Sequence, residues 1–238
     1  MKITDLTRTA RKLLKLKPCG AVIVAAGSAS RMKGVDKIMA ELAGEPVIVR
    51  TVRAFQDCDA IREIVIVTRE DLILPVRDLL RSMPKVRAVV AGGSTRQESV
   101  TRGLGALSPG MKLAAIHDGA RPLVSWQLID RTVRAANTYG AAVPAIPVKD
   151  TIKVAAGGLV ESTPDRNTLR AIQTPQVFDL DLLRAALKQT DGAGLTDDCA
   201  AVEKLGMKVK IVEGAEENLK ITTPLDLKIA KMLLEESK

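Results

Sequence analysis

The sequence predicts an α/β fold: a Rossmann-like, mostly parallel sheet with helices on both faces and a β-hairpin arm projecting from it. Three observations predict it. From Ala21 to Ile146, short apolar stretches alternate with segments of helical periodicity, the order that builds parallel strands joined by crossover helices. Those apolar stretches are near-continuous aliphatic runs, so both faces of the sheet are covered. Beyond Ile146 the period changes to two, around a Gly157-Gly158 pair.

Taken in order, residues 1–17 form a basic extension. Lys2, Arg8, Arg11, Lys12, Lys15 and Lys17 stand against Asp5, giving this segment +5 of the formal +8. Ile3, Leu6, Ala10, Leu13 and Leu14 recur there at roughly helical spacing. Residues 18–238 then suit one domain. Strands are expected at Ala21–Ala25, Glu63–Thr68, Val86–Val90, Leu113–His117 and Ala141–Ile146. Helices are expected near Pro46–Gln56, Leu72–Met83, Ser94–Leu107 and Ser125–Tyr139. Ser94 as N-cap with Gln97 three residues on would form a capping box. In 147–178, the alternating segments TIKVA and LVEST read as a hairpin turned at the glycine pair. An isolated hairpin is marginal in water, so this arm is expected to pack on a second subunit. Helices near Leu180–Gln189 and Thr196–Leu205, a strand at Lys208–Val212 and a last helix opened by Thr223-Pro224 complete the chain.

Composition narrows the function. The chain is 46% hydrophobic but 2% aromatic, so its core is aliphatic and it lacks a stacking platform for single-stranded nucleic acid. A basic tail on a mildly basic body is weak ground for a nucleic-acid partner. No apolar run approaches the roughly 20 residues of a membrane span. Cys19, Cys58 and Cys199 are odd in number and widely spaced, which fits reduced thiols in the cytoplasm and not a disulfide framework.

Three compact clusters and one dispersed set carry chemistry. The strand AVIVA breaks into the small residues Ala26, Gly27, Ser28, Ala29 and Ser30, after which Arg31 and Lys37 supply cations. Small residues let backbone N–H groups approach a ligand, and cations beside them suit a triphosphate. The pattern is neither a dinucleotide G-x-G-x-x-G nor a Walker loop. In GGSTRQES, the capping role explains Ser94 and Gln97 but not two glycines; Gly93 would let a base or ribose reach the backbone. In HDGARP, Asp118 at a strand end suits Mg²⁺, which takes one or two carboxylates plus phosphate oxygens. His117, the only histidine, is assigned no role. The dispersed set is Lys149-Asp150-Thr151, Asp165-Arg166, QTPQ, Thr196-Asp197-Asp198 and Lys220. Loops after parallel strands gather at one edge of the sheet, so the first three clusters are expected to converge.

Taken together, the chain resembles the 2-C-methyl-D-erythritol 4-phosphate cytidylyltransferases, from about Cys19 to the last helix. AAGSASRM resembles the family's A-A-G-x-G-x-R-M loop, GGSTRQES its G-G-x-x-R-x-x-S, HDGARP its H-D-A-A-R-P and KDT its R-D-T; TPDR, QTPQ, TDD and NLKIT follow in order. The resemblance implies a nucleotide-diphospho-sugar transferase type of fold and transfer of CMP from CTP to methylerythritol phosphate with Mg²⁺. It implies that Ala25, Ala26, Gly27, Gly93, Ser94 and Ser99 hold the cytidine and its ribose, with Arg96 nearby. Arg31 and Lys37 would bind the triphosphate, Asp118 would lie beside Mg²⁺ and the methylerythritol phosphate, and Arg121 and Lys220 would form the sugar-phosphate site. Thr151 and Arg166 would come from the partner's arm, making the enzyme a homodimer. The chain departs from the pattern at Ala29, at Asp36 beside Lys37, and at Gly119. Competing readings are a cytidylyltransferase for ribitol 5-phosphate or another sugar phosphate on the same fold, and a non-catalytic nucleotide-binding regulatory protein.

Overall fold

The computed structural model describes residues 16–27, 36–190, 194–195 and 197–236. Strand β1 (Cys19–Ala25) is an interior strand of the sheet, and its Cys19, Ala21, Val22 and Ile23 are fully buried. It pairs in parallel with β4 (Ile61–Thr68) on one side and with β6 (Leu113–Asp118) on the other. Between β1 and β4 lie the short ladder of β2 (Glu41–Leu42) and β3 (Glu45–Pro46) and helix α1 (Val47–Gln56). Helix α2 (Ile73–Leu79) then leads to β5 (Val86–Ala91), which extends the parallel set beside β4. The helix expected near Leu72–Met83 is therefore shorter, with a 3₁₀ turn at Glu70–Leu72 ahead of it. Helix α3 (Arg96–Gly105) crosses back to β6, on the opposite side of β1. The chain thus changes direction across the sheet at the β1–β6 crevice, the kind of place where open α/β sheets bind ligands.

Helix α4 (Trp126–Tyr139) is capped by Ser125, whose hydroxyl accepts the Leu128 N–H, and ends at Gly140 in the left-handed region, φ 82°. Strand β7 (Ala141–Pro147) follows. Next comes the hairpin of β8 (Val154–Ala156) and β9 (Leu159–Ser162), turned at Gly157 and Gly158 with φ of 58° and 82°, as a two-residue turn of this hand requires. The hairpin forms a sheet of its own. The segment expected as an arm over 147–178 divides. Strands β10 (Arg170–Ile172) and β11 (Gln176–Asp179) return to the main sheet, antiparallel to β7, and β11 fills the gap between β6 and β7. Burial of Val177 and Phe178 drives this, and a four-residue strand preceded directly by Pro175 left little periodicity to read.

Helix α5 (Leu180–Gln189) and helix α6 (Asp198–Lys204) precede β12 (Lys210–Glu213), which lies on the far edge of β7: Ala142 is partnered by both Val177 and Lys210. Helix α7 (Pro224–Glu236) starts as expected. Thr223 Oγ1 accepts the Asp226 N–H, and the Asp226 carboxylate accepts the Thr223 N–H in return. Two aliphatic cores cover the sheet, one packing α1 and α4 through Ile48, Val52, Phe55, Leu128 and Val133, the other packing α3, α5 and α6 through Val100, Leu104, Leu183 and Val202. The three cysteines are buried free thiols whose pKa burial pushes up.

Candidate active site

A cleft of about 420 Å³ opens at the carboxyl edge of the sheet, across the β1–β6 crevice. Ala25, Ala26 and Gly27 enter it from the end of β1, Gly93 and Ser94 from the turn after β5, and Arg96 and Ser99 from the first turns of α3. Asp118 closes β6, Lys37 comes from the segment before β2, and Lys220 from the segment before α7. Ten expected residues, scattered over nearly 200 positions, thus line one cavity. Arg31 and Ala29 lie outside the described residues. Thr151 and Arg166 lie on the exposed arm and do not line the cleft of their own chain; the Arg166 guanidinium donates to the Lys149 carbonyl.

The glycine turn is built by packing within the chain. A Cβ on Gly92 would stand 2.3 Å from the Ala26 Cβ, so the loops after β1 and β5 touch only because residue 92 is glycine. A Cβ on Gly93 would stand 2.3 Å from the Glu98 Cβ. The second glycine, expected as room for a base or ribose, therefore already has an intramolecular reason. The cap also differs from expectation. Thr95 is the N-cap, accepting the Glu98 N–H at 3.0 Å, and Glu98 reaches back to the Ser94 N–H at 2.7 Å. Glu98 competes better than Gln97 because its carboxylate is a stronger acceptor, and its pKa is lowered by those bonds from Ser94. Gln97 instead donates to the Leu187 carbonyl of α5. Ser99 Oγ accepts the Gly93 N–H at 3.1 Å and donates to the Thr95 carbonyl, fixing the turn from inside.

Charge is organised around Asp118. Its Oδ2 lies 3.0 Å from Lys220 Nζ and 3.4 Å from Arg121 Nε. Burial pushes the carboxyl up, but Lys220, Arg96 and Arg121 outweigh burial and hold it at about 2. Arg121 does not line the cleft; it stands behind Asp118 and donates to the Asn218 carbonyl at 2.6 Å. Arg96 is paired at 2.7 Å with Asp198, a buried carboxylate from the TDD segment whose pKa burial raises against the pull of Arg96. Sequence reasoning noted Asp198 but gave it no partner, since only the fold brings α6 against α3.

Beneath Asp118 runs a buried polar relay that sequence reasoning missed. Thr174 Oγ1 accepts the Asp118 N–H at 3.2 Å and lies 2.9 Å from His117 Nδ1. His117 Nε2 faces the Arg121 carbonyl at 3.3 Å. A carbonyl only accepts, so Nε2 carries the proton; burial keeps the ring neutral, so Nδ1 accepts from Thr174. Burial lowers its pKa to about 3 against the pull of Asp118. Asn218 ties the NLK segment to the same core, donating to the Thr174 carbonyl at 2.9 Å. The one sequence signal for this relay was that QTPQ, HDGARP and NLK each carry a polar residue beside an apolar strand.

The departures from the family pattern have local reasons. Asp36 accepts the Ile38 N–H at 3.0 Å and pairs with Arg69, just past the end of β4. A Cβ on Gly119 would stand 2.9 Å from the Ala25 Cβ, so glycine relieves the contact between the ends of β1 and β6.

A mostly parallel α/β sheet whose carboxyl edge holds, among the described residues, a glycine turn, two lysines and a single lining carboxylate defines a nucleotidyltransferase of the Rossmann-like type. Residues 19–236 match the family model described as IspD, 2-C-methyl-D-erythritol 4-phosphate cytidylyltransferase, and the chain belongs to that family. It is 45% identical over 223 residues to the 2-C-methyl-D-erythritol 4-phosphate cytidylyltransferase of Symbiobacterium thermophilum, covering 92% of this chain and 94% of that one. Among solved structures it resembles the 4-diphosphocytidyl-2C-methyl-D-erythritol synthase of Anaerococcus prevotii, with a TM-score of 0.83, 34% identity and coverage of 92% and 96%. It also resembles the cytidylyltransferase of Thermus thermophilus, with a TM-score of 0.77, 34% identity and coverage of 92% and 99%.

Proposed function

We propose how this chain transfers CMP from CTP to 2-C-methyl-D-erythritol 4-phosphate, releasing pyrophosphate and forming 4-diphosphocytidyl-2-C-methyl-D-erythritol. The observation that carries the reading is the placement of Lys37 and Lys220 in one cleft with the glycine turn and Asp118. The nucleophile is a phosphate oxygen. With a second pKa of about 6, a phosphate monoester is mostly dianionic at neutral pH, so no general base is required. His117 suits no such role, because both ring nitrogens are engaged and the ring is fully buried. The obstacle is repulsion between an anionic nucleophile and a polyanion, and the remedy is fixed positive charge where charge accumulates.

Ala25, Ala26, Gly27, Gly93, Ser94 and Ser99 form the backbone cradle for the nucleoside, with Arg96 beside it. Lys37, whose Nζ lies 3.7 Å from where a Gly27 Cβ would stand, neutralises the triphosphate together with Arg31. Lys220 binds the phosphate of the sugar acceptor, and Arg121 holds Asp118 in place from behind. Asp118 is the carboxylate for a divalent cation. No cluster of three metal-ligating side chains exists among the described residues, so the donor set fits a Mg²⁺ carried largely by the nucleotide's phosphates, and not one caged by protein. When bound, the ion would supply charge neutralisation at the phosphates.

The enzyme works as a homodimer. Val154, Leu159 and Val160 are 45%, 75% and 63% exposed on a hairpin that pairs with no other strand among the described residues. A partner's body covers them, and the arm delivers Thr151 and Arg166 to the partner's cleft. Buried free thiols agree with a cytoplasmic enzyme. The test is pyrophosphate release from CTP and Mg²⁺ with methylerythritol phosphate beside ribitol 5-phosphate. Release with the first alone is expected; release with the second alone moves the substrate assignment, and silence with both refutes the catalytic reading.

A further inference from the structure

Asp36 sets a problem that the proposed chemistry does not absorb. It places an anion one residue from the lysine that must meet a triphosphate. The structure supplies both the reason for it and its remedy. Asp36 Oδ1 accepts the Ile38 N–H at 3.0 Å, and the Asp36 carbonyl accepts the Ala40 N–H at 2.8 Å, so the carboxylate folds the turn that carries Lys37. Ile38 is 1% exposed, and its carbonyl accepts the Ile48 N–H of α1 at 2.9 Å, so Lys37 stands between a buried anchor and the carboxylate. The other oxygen, Oδ2, meets Arg69 Nη1 at 2.5 Å. Arg69 is itself held from behind, its Nε and Nη2 at 3.1 and 3.0 Å from the two oxygens of Asp71. It sits one residue past Thr68, where β4 ends at the same edge of the sheet as the cleft. The Asp71 and Asp36 hydrogen bonds raise its pKa further, so it stays a cation.

We propose that Arg69 is a positioning residue for phosphate binding: by pairing with Asp36 it masks the anion beside Lys37, while the Asp36 bond to the Ile38 N–H shapes the turn that presents the ammonium to the triphosphate. The proposal rests on the reading of Lys37 as a triphosphate ligand. It assigns Arg69 no contact with substrate; its effect passes through Asp36 and Lys37.

A masking pair makes a prediction that a merely structural pair does not. Arg69→Met leaves Asp36 as an exposed anion beside the nucleotide's phosphates and should raise the KM for CTP about tenfold, with less change as salt is raised. Asp36→Asn keeps an acceptor for the Ile38 N–H and removes the anion, so it should stay within about threefold of the parent. The double variant Asp36→Asn with Arg69→Met should recover most of what Arg69→Met lost, although it lacks both ends of the pair. In a Lys37→Ala background, Arg69→Met should add little. Direct CTP binding, followed by titration calorimetry beside the kinetics, separates two failures. If the parent binds CTP but releases no pyrophosphate, the catalytic reading falls while the order of CTP affinities still tests the masking. If the double variant is as weak as Arg69→Met or weaker, with a matching thermal melt, the masking idea is overturned. It is overturned equally if Arg69→Met loses its full factor in the Lys37→Ala background, since Arg69 would then touch the ligand itself.

Discussion

Acidification should unfold this protein through its one histidine. His117 is fully buried, its ring 4.8 Å from that of Phe55, and its Nδ1 must accept from Thr174 for the relay under Asp118 to hold. In the unfolded chain the imidazole takes a proton near 6.5; in the fold burial keeps it neutral down to about 3. Between those values the unfolded state binds the extra proton, so stability is complete above about 6.5 and falls with pH until about 3 is reached. Lowering the pH from about 7 to about 5 should therefore cost about 2 kcal/mol from this group alone, with a limiting slope of about 1.4 kcal/mol per unit. Asp118, held at about 2, does not titrate in that window and does not mask the effect. Urea unfolding at the two pH values, on the parent and on His117→Asn, isolates the contribution because other titrating groups are common to both. The parent should lose about 2 kcal/mol more than the variant. Equal losses would refute the buried, neutral relay.

Other substitutions test the site piece by piece. Lys37→Ala should cut turnover by roughly 10²-fold or more, the order seen when one transition-state donor is lost, while circular dichroism and thermal melting stay near the parent. Gly92→Ala forces its Cβ onto the Ala26 side chain and should cost about 1–3 kcal/mol in denaturant unfolding and weaken CTP binding, because the two loops it separates both line the cleft. Mixing Arg31→Ala subunits with Arg166→Ala subunits should restore activity in hybrids that regain one complete site; an inactive, verified heterodimer would argue against a shared site.

The sheet was legible because its strands are aliphatic runs bounded by turns, and β1, β4, β5, β6 and β7 appear where periodicity put them. Strand β11 was not, because its burial comes from neighbours distant in sequence. Within the site, the residues that face a ligand were legible from motif and order, since small residues and cations after strands state a chemistry. The residues that hold them in place were not. Thr174, Asn218, Asp198 and Arg69 act through partners 57, 44, 102 and 33 residues away, and one-dimensional spacing does not encode such pairs. The displaced cap of α3 has another cause. Ser94 and Thr95 are both good caps, and the choice between them was made by the glutamate three residues after Thr95.

Asp118 explains how so many cations share one cleft. Lys220 and Arg121 meet at its Oδ2, and Arg96 acts on it from across the crevice. Without a central anion these groups would repel one another and turn outward to solvent, and a ligand would have to gather them at an entropic cost. The carboxylate does the gathering in advance. Because it is held ionised at about 2, its charge is constant over any working pH, and the cations keep their places before substrate arrives. An arriving phosphate then meets Lys220 and Arg96 already lining the cleft, which is the preorganisation that charge-stabilising catalysis requires. Asp36 and Arg69 apply a related device on the other side of the site: an anion shapes the chain locally, and a cation paired with it offsets its charge toward the nucleotide.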